Sequence, residues 1–167
     1  MILVTGTSGH LGRLVVQELA ARTDPSTVVA TARSLDKIAD LAALGVATRE
    51  LDYDRPDTIA AALDGVSQVL LVSSSDVGRR VPQHAAVIDA AAGAGVEHVA
   101  YTSILRAVTS PLIAAIDHRA TEELLASSGI ATTRLRHGWY IENYTGNLGP
   151  ALEHGAVIGS TGEGRIA

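Results

Sequence analysis

Three glycines spaced Gly6-x-x-Gly9-x-x-Gly12 constrain this chain more than any other feature, because they follow a short apolar run at once and open a long stretch of helical periodicity. Each glycine answers a steric need of a tight strand-to-helix turn. Gly6 permits the reversal, Gly9 lets a phosphate approach the backbone, and Gly12 lets the helix pack closely on the strand. The free N–H groups and dipole of the new helix would favour an anion there, and the hydroxyls of Thr7 and Ser8 can add donors. A glycine pattern alone can serve shape only; here a strand before, a helix after and a continuing strand–helix alternation make it a phosphate-binding turn.

The alternation runs on. Strands are expected at Met1–Thr5, Thr27–Ala32, Ala47–Leu51, Gln68–Ser73, His98–Thr102 and Thr132–Leu135. Helices are expected at Leu11–Arg22, Leu35–Leu44, Pro56–Leu63, Arg79–Ala94 and Ala115–Ser127, with a short one at Leu148–His154. Gly45, Gly65, Gly95 and Gly129 stand where helices should stop, and the Asp54-Arg55-Pro56 segment reads as an N-cap with proline in the first turn. Apolar residues make up 47%, drawn from Ala, Val, Leu and Ile since Phe is absent, and such small branched residues suit strands sandwiched between helices. The fold class that follows is α/β: a doubly wound parallel sheet of the Rossmann type, helices on both faces, strand order 3-2-1-4-5-6. One dinucleotide-binding domain accounts for residues 1–167, in which 136–167 begins a cofactor and substrate cleft. The loop-like end at Gly162–Ala167 leads us to expect that a substrate-binding part continues beyond it.

With a net charge of −5 and no basic block, nucleic acid and anionic membranes are not expected partners. No apolar run is long enough to span a bilayer, and the first strand begins too early for a signal peptide, so a cytoplasmic location is expected. Cysteine is absent, which excludes disulfides and thiolate chemistry. The histidines at 10, 84, 98, 118, 137 and 154 lack metal-ligand spacing, so no metal site is expected. His118 falls near the place of a dehydrogenase lysine but reads as a partly exposed helical residue.

The second strand ends on Arg33 rather than on a carboxylate. An acid there would bond a ribose 2′-hydroxyl, whereas Arg33 can grip a 2′-phosphate, which favours NADP(H), with Asp36 a partial counter-charge. Asp52 and Tyr53 follow strand three, where they would flank an adenine; an Asp cap beside a surface Tyr explains them equally. Ser73-Ser74-Ser75 and Thr102-Ser103 fall at the carboxyl edge of the sheet, where hydroxyls can bond ribose or carboxamide or cap the next segment. The Tyr-x-x-x-Lys pair of ordinary short-chain dehydrogenases is missing, because four residues after Tyr101, Tyr140 and Tyr144 stand Leu105, Tyr144 and Leu148. Reduction of a simple ketone is thereby disfavoured. A quinone tolerates the loss, since its phenolate-like product, with a pKa near the tyrosine value of about 10, is protonated by water. No G-x-S-x-G elbow surrounds Ser74 or Ser103, so an esterase is not expected.

The run Met1–Gly12, Arg33, Asp52-Tyr53, Leu71–Ser75, Tyr101–Ser103, His118–Glu122, Gly138-Trp139-Tyr140, Glu142-Asn143-Tyr144 and the Gly162–Ala167 end resemble the NmrA-like branch of atypical short-chain dehydrogenases. Within it the chain is most similar to bacterial NADPH-dependent type-2 quinone oxidoreductases, with triphenylmethane dye reductases as near relatives. The resemblance implies that Gly6, Thr7, Ser8, Gly9, His10 and Leu11, then Arg33, Ser73, Ser74 and Ser75, and Gly138, Trp139, Tyr140, Ile141 and Glu142 contact NADP(H). It places nicotinamide and quinone near Ser103 and Trp139–Asn143, with Trp139 and Tyr140 as an apolar wall and Ser103, Trp139, Tyr140 and Asn143 as catalytic candidates. His137 stands where relatives carry Asn and is carried over as a cofactor contact that departs from the pattern. The implied activity is hydride transfer from NADPH to a quinone-like or dye-like acceptor, in a chain compatible with a homodimer. The alternative is an NmrA-like regulator that senses NADP(H) without turnover. The resemblance also implies a smaller substrate domain beyond the Gly-Arg-Ile-Ala segment.

Overall fold

Successive side chains of a strand point to opposite faces, so a strand that is buried throughout needs cover on both sides. In the computed structural model, which describes residues 1–76, 78–146 and 148–156, all five residues of one strand, Val28–Ala32, are buried. The chain runs β1 (Ile2–Val4), α1 (His10–Arg22), β2 (Val28–Ala32), α2 (Ala39–Ala42), β3 (Ala47–Glu50), α3 (Pro56–Ala62), β4 (Gln68–Leu71), α4 (Arg80–Gly93), β5 (His98–Ile104), α5 (Ile113–Ser127) and β6 (Ala131–His137). The strands form one sheet in the order β3-β2-β1-β4-β5-β6, the order expected for a doubly wound sheet. The ladders joining β3, β2, β1, β4 and β5 are parallel, with Leu3 level with both Val29 and Val69.

Two cores follow from the alternation. Leu3, Val29, Val69, Leu71, Val99 and Tyr101 meet Ile59, Val87, Ile88, Ala91 and Leu125 from α3, α4 and α5. On the other face Val4, Val28, Ala30 and Ala32 meet Val16 from α1 together with Ile38 and Leu41. The glycines expected to stop helices, Gly45, Gly65, Gly95 and Gly129, all take left-handed φ between +67° and +84°.

Several boundaries moved, for physical reasons. Instead of one helix over Leu35–Leu44, a 3₁₀ turn at Leu35–Ile38 precedes the single turn α2. The Lys37 carbonyl at that junction accepts from the Arg13 guanidinium at 2.6 Å, and Arg13 also pairs with Asp40. Asp54 does not cap α3. Arg55 takes the N-cap position without a side-chain bond, Pro56 begins the helix, and Asp54 pairs with Arg79. Strand four ends at Leu71 rather than Ser73, because the N–H groups of Val72 and Ser73 donate to the hydroxyls of Thr5 and Thr102 rather than to strand carbonyls. Strand five runs on to Ile104, which puts Thr102 and Ser103 inside it, both buried.

The chain divides into two units, Met1–Arg136 and His137–Ala167. The second contains α6 (Glu142–Thr145), which the sequence pattern did not announce, and α7 (Leu148–His154), at its expected bounds. The Gly162–Ala167 end lies outside the described residues.

Candidate nucleotide-binding site

The glycine turn is as tight as its spacing requires. Gly6 has φ +63°, and a Cβ on Gly12 would stand 2.6 Å from the Gly6 carbonyl oxygen and 3.0 Å from the Thr7 Cα, both backbone. The turn is pinned at its base: Thr7 N–H and Thr7 Oγ1 both donate to the Thr31 carbonyl at 3.0 Å, and Thr31 Oγ1 donates to the Val4 carbonyl at 2.9 Å. Thr7 is therefore buried, with its hydroxyl committed to β2, while Ser8, Gly9 and His10 are exposed and Leu11 is half-buried. Gly9 is the N-cap of α1 and, lacking a side chain, gives it no side-chain cap bond. A turn closed to a Cβ at Gly12, opening on a helix N-terminus whose cap residue has no side chain, fits a pyrophosphate.

Arg33, immediately past β2, is exposed and carries no hydrogen bond or ion pair among the described residues; Asp36 and Lys37 are exposed beside it. Past β3, the Asp52 carboxylate accepts from the Asp54 N–H at 3.1 Å, forming a turn. Tyr53 is half-buried: it packs against the core, its hydroxyl donates to the Val72 carbonyl at 3.4 Å, and burial pushes its pKa up to about 12.

Sequence reasoning missed a polar network past β4 and β5. The Ser74 N–H donates to His84 Nε2 at 3.1 Å, the Ser74 carbonyl accepts from Arg80 Nε at 2.7 Å, and His84 Nδ1 lies 3.0 Å from Thr121 Oγ1. His84, Arg80 and Thr121 are buried, whereas Ser75 is exposed. The Tyr101 hydroxyl lies 2.7 Å from His118 Nδ1, which corrects the expectation for His118: it is buried rather than partly exposed, and burial drops its pKa to about 4.

Ser103 Oγ donates to Glu122 Oε1 at 2.6 Å, and Arg136 grips both oxygens of that carboxylate at 2.9 and 2.6 Å. The guanidinium holds Glu122 below the usual carboxylate range, against the upward push of burial. Arg80 and Glu122 carried a faint signal, being charged residues at positions where α4 and α5 turn to the core. None of their partners lies within one helical turn, so local pattern could not assign them.

The remaining candidates lie in the second unit. Trp139, Tyr140 and Ile141 are exposed, and the His137 and Tyr140 rings lie 5.7 Å apart. The Asn143 N–H donates to the Tyr140 carbonyl at 3.1 Å, and the Thr145 N–H to the Ile141 carbonyl at 3.0 Å, so one helical turn displays Tyr140, Glu142 and Asn143. Among the described residues no group of three His, Asp or Glu could hold a metal ion, and no helix is long and apolar enough to cross a membrane.

Comparison with known proteins gives this geometry its context. Residues 6–162 match the model of a family described as NAD(P)H-binding. Quinone oxidoreductase 2 of Escherichia coli (strain K12) is 49% identical over 167 residues, all of this chain and 58% of that protein. The crystal structure of the Escherichia coli NADPH-dependent quinone oxidoreductase complexed with NADPH has a TM-score of 0.88 at 49% identity, covering 93% of this chain and 55% of the other. Citrobacter sp. triphenylmethane reductase complexed with NADP(H) has a TM-score of 0.88 at 38% identity, covering 93% and 56%. The chain thus spans somewhat more than half the length of these relatives.

Proposed function

The chain belongs to the NAD(P)H-binding family, and from that premise we propose that its protein transfers hydride from NADPH to a quinone-like or dye-like acceptor. The observation that carries the reading is the pairing of a turn closed to a Cβ at Gly12, on a helix whose cap residue has no side chain, with an Arg33 just past β2 that has no partner among the described residues. Similarity to a quinone oxidoreductase and a triphenylmethane reductase supports the acceptor class.

The residues divide the work. Gly6, Gly9 and Gly12 with Ser8, His10 and Leu11 receive the pyrophosphate, Arg33 takes the 2′-phosphate, and Asp52 and Tyr53 border the adenine. Ser73–Ser75 meet the ribose, and Gly138–Glu142 with His137 complete the cofactor contacts. The bound cofactor supplies the hydride; the protein supplies orientation.

Ser103 has a narrower role than its residue type suggests. Its single hydrogen goes to Glu122, so its Oγ can accept from a carboxamide or a hydroxyl but cannot donate to a growing negative charge. That suits an acceptor whose anion water can protonate. Trp139 and Tyr140 offer the acceptor an apolar wall, and Asn143 a polar contact. The same proposal includes a cytoplasmic location, in keeping with a chain without cysteine, and a homodimer.

Arg33→Asp tests the assignment. NADPH affinity should fall about 10- to 100-fold, the worth of a charge-assisted bidentate contact, while NADH affinity changes little. Equal losses for the two cofactors in a fluorescence titration would remove the 2′-phosphate from Arg33. Turnover of benzoquinone separates an enzyme from a sensor that binds NADPH and stops there.

A further inference from the structure

From Val72 to Ser74 the chain belongs to no strand or helix, yet these three consecutive backbone N–H groups are each received by a side chain from a different part of the fold. Val72 N–H donates to Thr5 Oγ1 at 2.9 Å, Ser73 N–H to Thr102 Oγ1 at 2.8 Å and Ser74 N–H to His84 Nε2 at 3.1 Å. On its other side Ser74 is held by Arg80, whose Nε donates to the Ser74 carbonyl at 2.7 Å. The Ser74 hydroxyl, by contrast, is buried without a hydrogen-bond partner, so it is the backbone that these groups fix.

The bond from the Ser74 N–H settles the state of His84. A backbone N–H can only donate, so Nε2 must accept and the ring proton must sit on Nδ1. Nδ1–H then donates to Thr121 Oγ1 at 3.0 Å, and Thr121 Oγ1 donates onward to the Asp117 carbonyl at 2.9 Å. The whole chain has one direction, from Ser74 through His84 and Thr121 to α5. The ring itself lies edge-on between Tyr53 and Tyr101, at centroid distances of 6.3 and 5.4 Å, which leaves it little freedom to turn.

We propose that His84, oriented by Thr121, is a positioning residue for the cofactor: with Arg80 it clamps Ser74 from both sides and holds Ser73–Ser75 in binding geometry before NADP(H) arrives. The inference rests on the reading that Ser73–Ser75 meet the cofactor. A loop already ordered spends none of the cofactor's binding energy on ordering, so the clamp acts on affinity and leaves the rate at saturation alone.

The test uses the full-length protein. His84→Phe keeps a ring between Tyr53 and Tyr101 but has no acceptor; His84→Gln restores an acceptor atom near the place of Nε2. Three quantities are read: NADPH affinity, steady-state kinetics with benzoquinone, and hydrogen exchange of the Ser74 amide in the cofactor-free protein. In His84→Phe the NADPH Kd and KM should rise about tenfold, the worth of roughly one buried hydrogen bond, with kcat and the quinone KM within about twofold of the parent. The Ser74 amide should exchange faster without cofactor, and His84→Gln should recover most of both losses. Thr121→Val frees the tautomer while leaving the ring, and should weaken NADPH binding about threefold; if His84→Phe does not fold, this variant decides. Parental NADPH affinity in a folded His84→Phe, or in Thr121→Val if that is the only folded variant, overturns the clamp. So does a loss that falls equally on kcat and that His84→Gln fails to restore. A parent protein that does not bind NADPH overturns the functional reading and this inference together, whereas a parent that binds it beside indifferent variants overturns this inference alone.

Discussion

The carboxyl edge of the sheet is built in two contrasting ways. Over β1 and β2 it is backbone: a Gly12 that admits no Cβ, a helix whose cap residue has no side chain, and an exposed Arg33 with no hydrogen bond or ion pair among the described residues. Over β4, β5 and β6 side chains do the holding: His84 receives the Ser74 backbone N–H, Glu122 the Ser103 hydroxyl, and Arg136 grips Glu122. The difference suits what each side would hold. An anion needs donors left unsatisfied until it arrives. A neutral ring and its carboxamide need placement, which comes from groups whose own bonds are already made. The two halves should therefore fail differently when disturbed.

The largest effect should come from the backbone side. Gly12→Val puts a Cβ 2.6 Å from the Gly6 carbonyl oxygen, and no side-chain movement can relieve a clash with backbone. We expect about 3 kcal/mol of lost stability and no measurable NADPH binding. Urea unfolding together with an NADPH titration checks both. A variant that keeps parental affinity would show that the turn can open without harm, and that its tightness is not what makes the site.

The side-chain half should break asymmetrically. Glu122 is 6% exposed at its side chain, Arg136 38%. Arg136→Ala strands a largely buried carboxylate and should cost clearly more stability at neutral pH than loss of the Glu122 charge. Glu122→Gln leaves an arginine that water can reach and should cost no more than about 1–2 kcal/mol. Since the folded pKa of Glu122 lies below its unfolded value, the stabilisation is complete above the unfolded value and is lost as pH falls through the folded one. The Arg136→Ala penalty should accordingly shrink below about pH 4, near the ordinary carboxylate pKa. Equal costs for the two variants in denaturant titrations would mean that the pair is solvated.

His84 gives this half a second pH signature. Burial, then the charges of Arg80 and His118, lower its pKa to about 3. Below pH of about 6.5 the unfolded chain binds a proton that the folded ring refuses, so stability falls on acidification by up to about 1.4 kcal/mol per pH unit. His118, also buried neutral, adds to the same limb. His84→Gln should make the slope between pH 6 and 4 shallower. An unchanged slope would move its origin to another group.

This contrast also explains what could be read from the sequence. The glycine turn and the place of Arg33 were legible because each depends on residues within a few positions of one another, and the strand order followed from matching the strand–helix alternation to the doubly wound fold. Ser74 and His84 are 10 residues apart, Ser103 and Glu122 19, Ser73 and Thr102 29, and His84 and Thr121 37. Nothing in periodicity pairs such residues; only the folded sheet does. The same limit explains the shortened β4, whose last N–H groups were drawn to Thr5 and Thr102, and the misreading of Asp54 as a cap, since its carboxylate goes to Arg79. His118 looked like an ordinary helical histidine because its one telling neighbour, Tyr101, comes from a strand 17 residues earlier.

Tyr101 offers the mildest and most discriminating test of whether the side-chain half is one network or two. Its side chain is fully buried, its ring touches His84, and its hydroxyl reaches His118 rather than the Ser74 loop. Tyr101→Phe keeps the ring and removes the hydroxyl's bond to His118 together with its contact to Thr121. The expected cost is about 1–2 kcal/mol of stability, measured by thermal or urea unfolding. Because the bonds from Ser74 to His84 and from His84 to Thr121 do not pass through this hydroxyl, NADPH affinity should fall less than it does in Thr121→Val. A fall in affinity that matches the fall in stability would mean that Tyr101, His84 and His118 act as one cooperative unit, and that the edge over β4 and β5 answers to the whole core rather than to the residues that touch it.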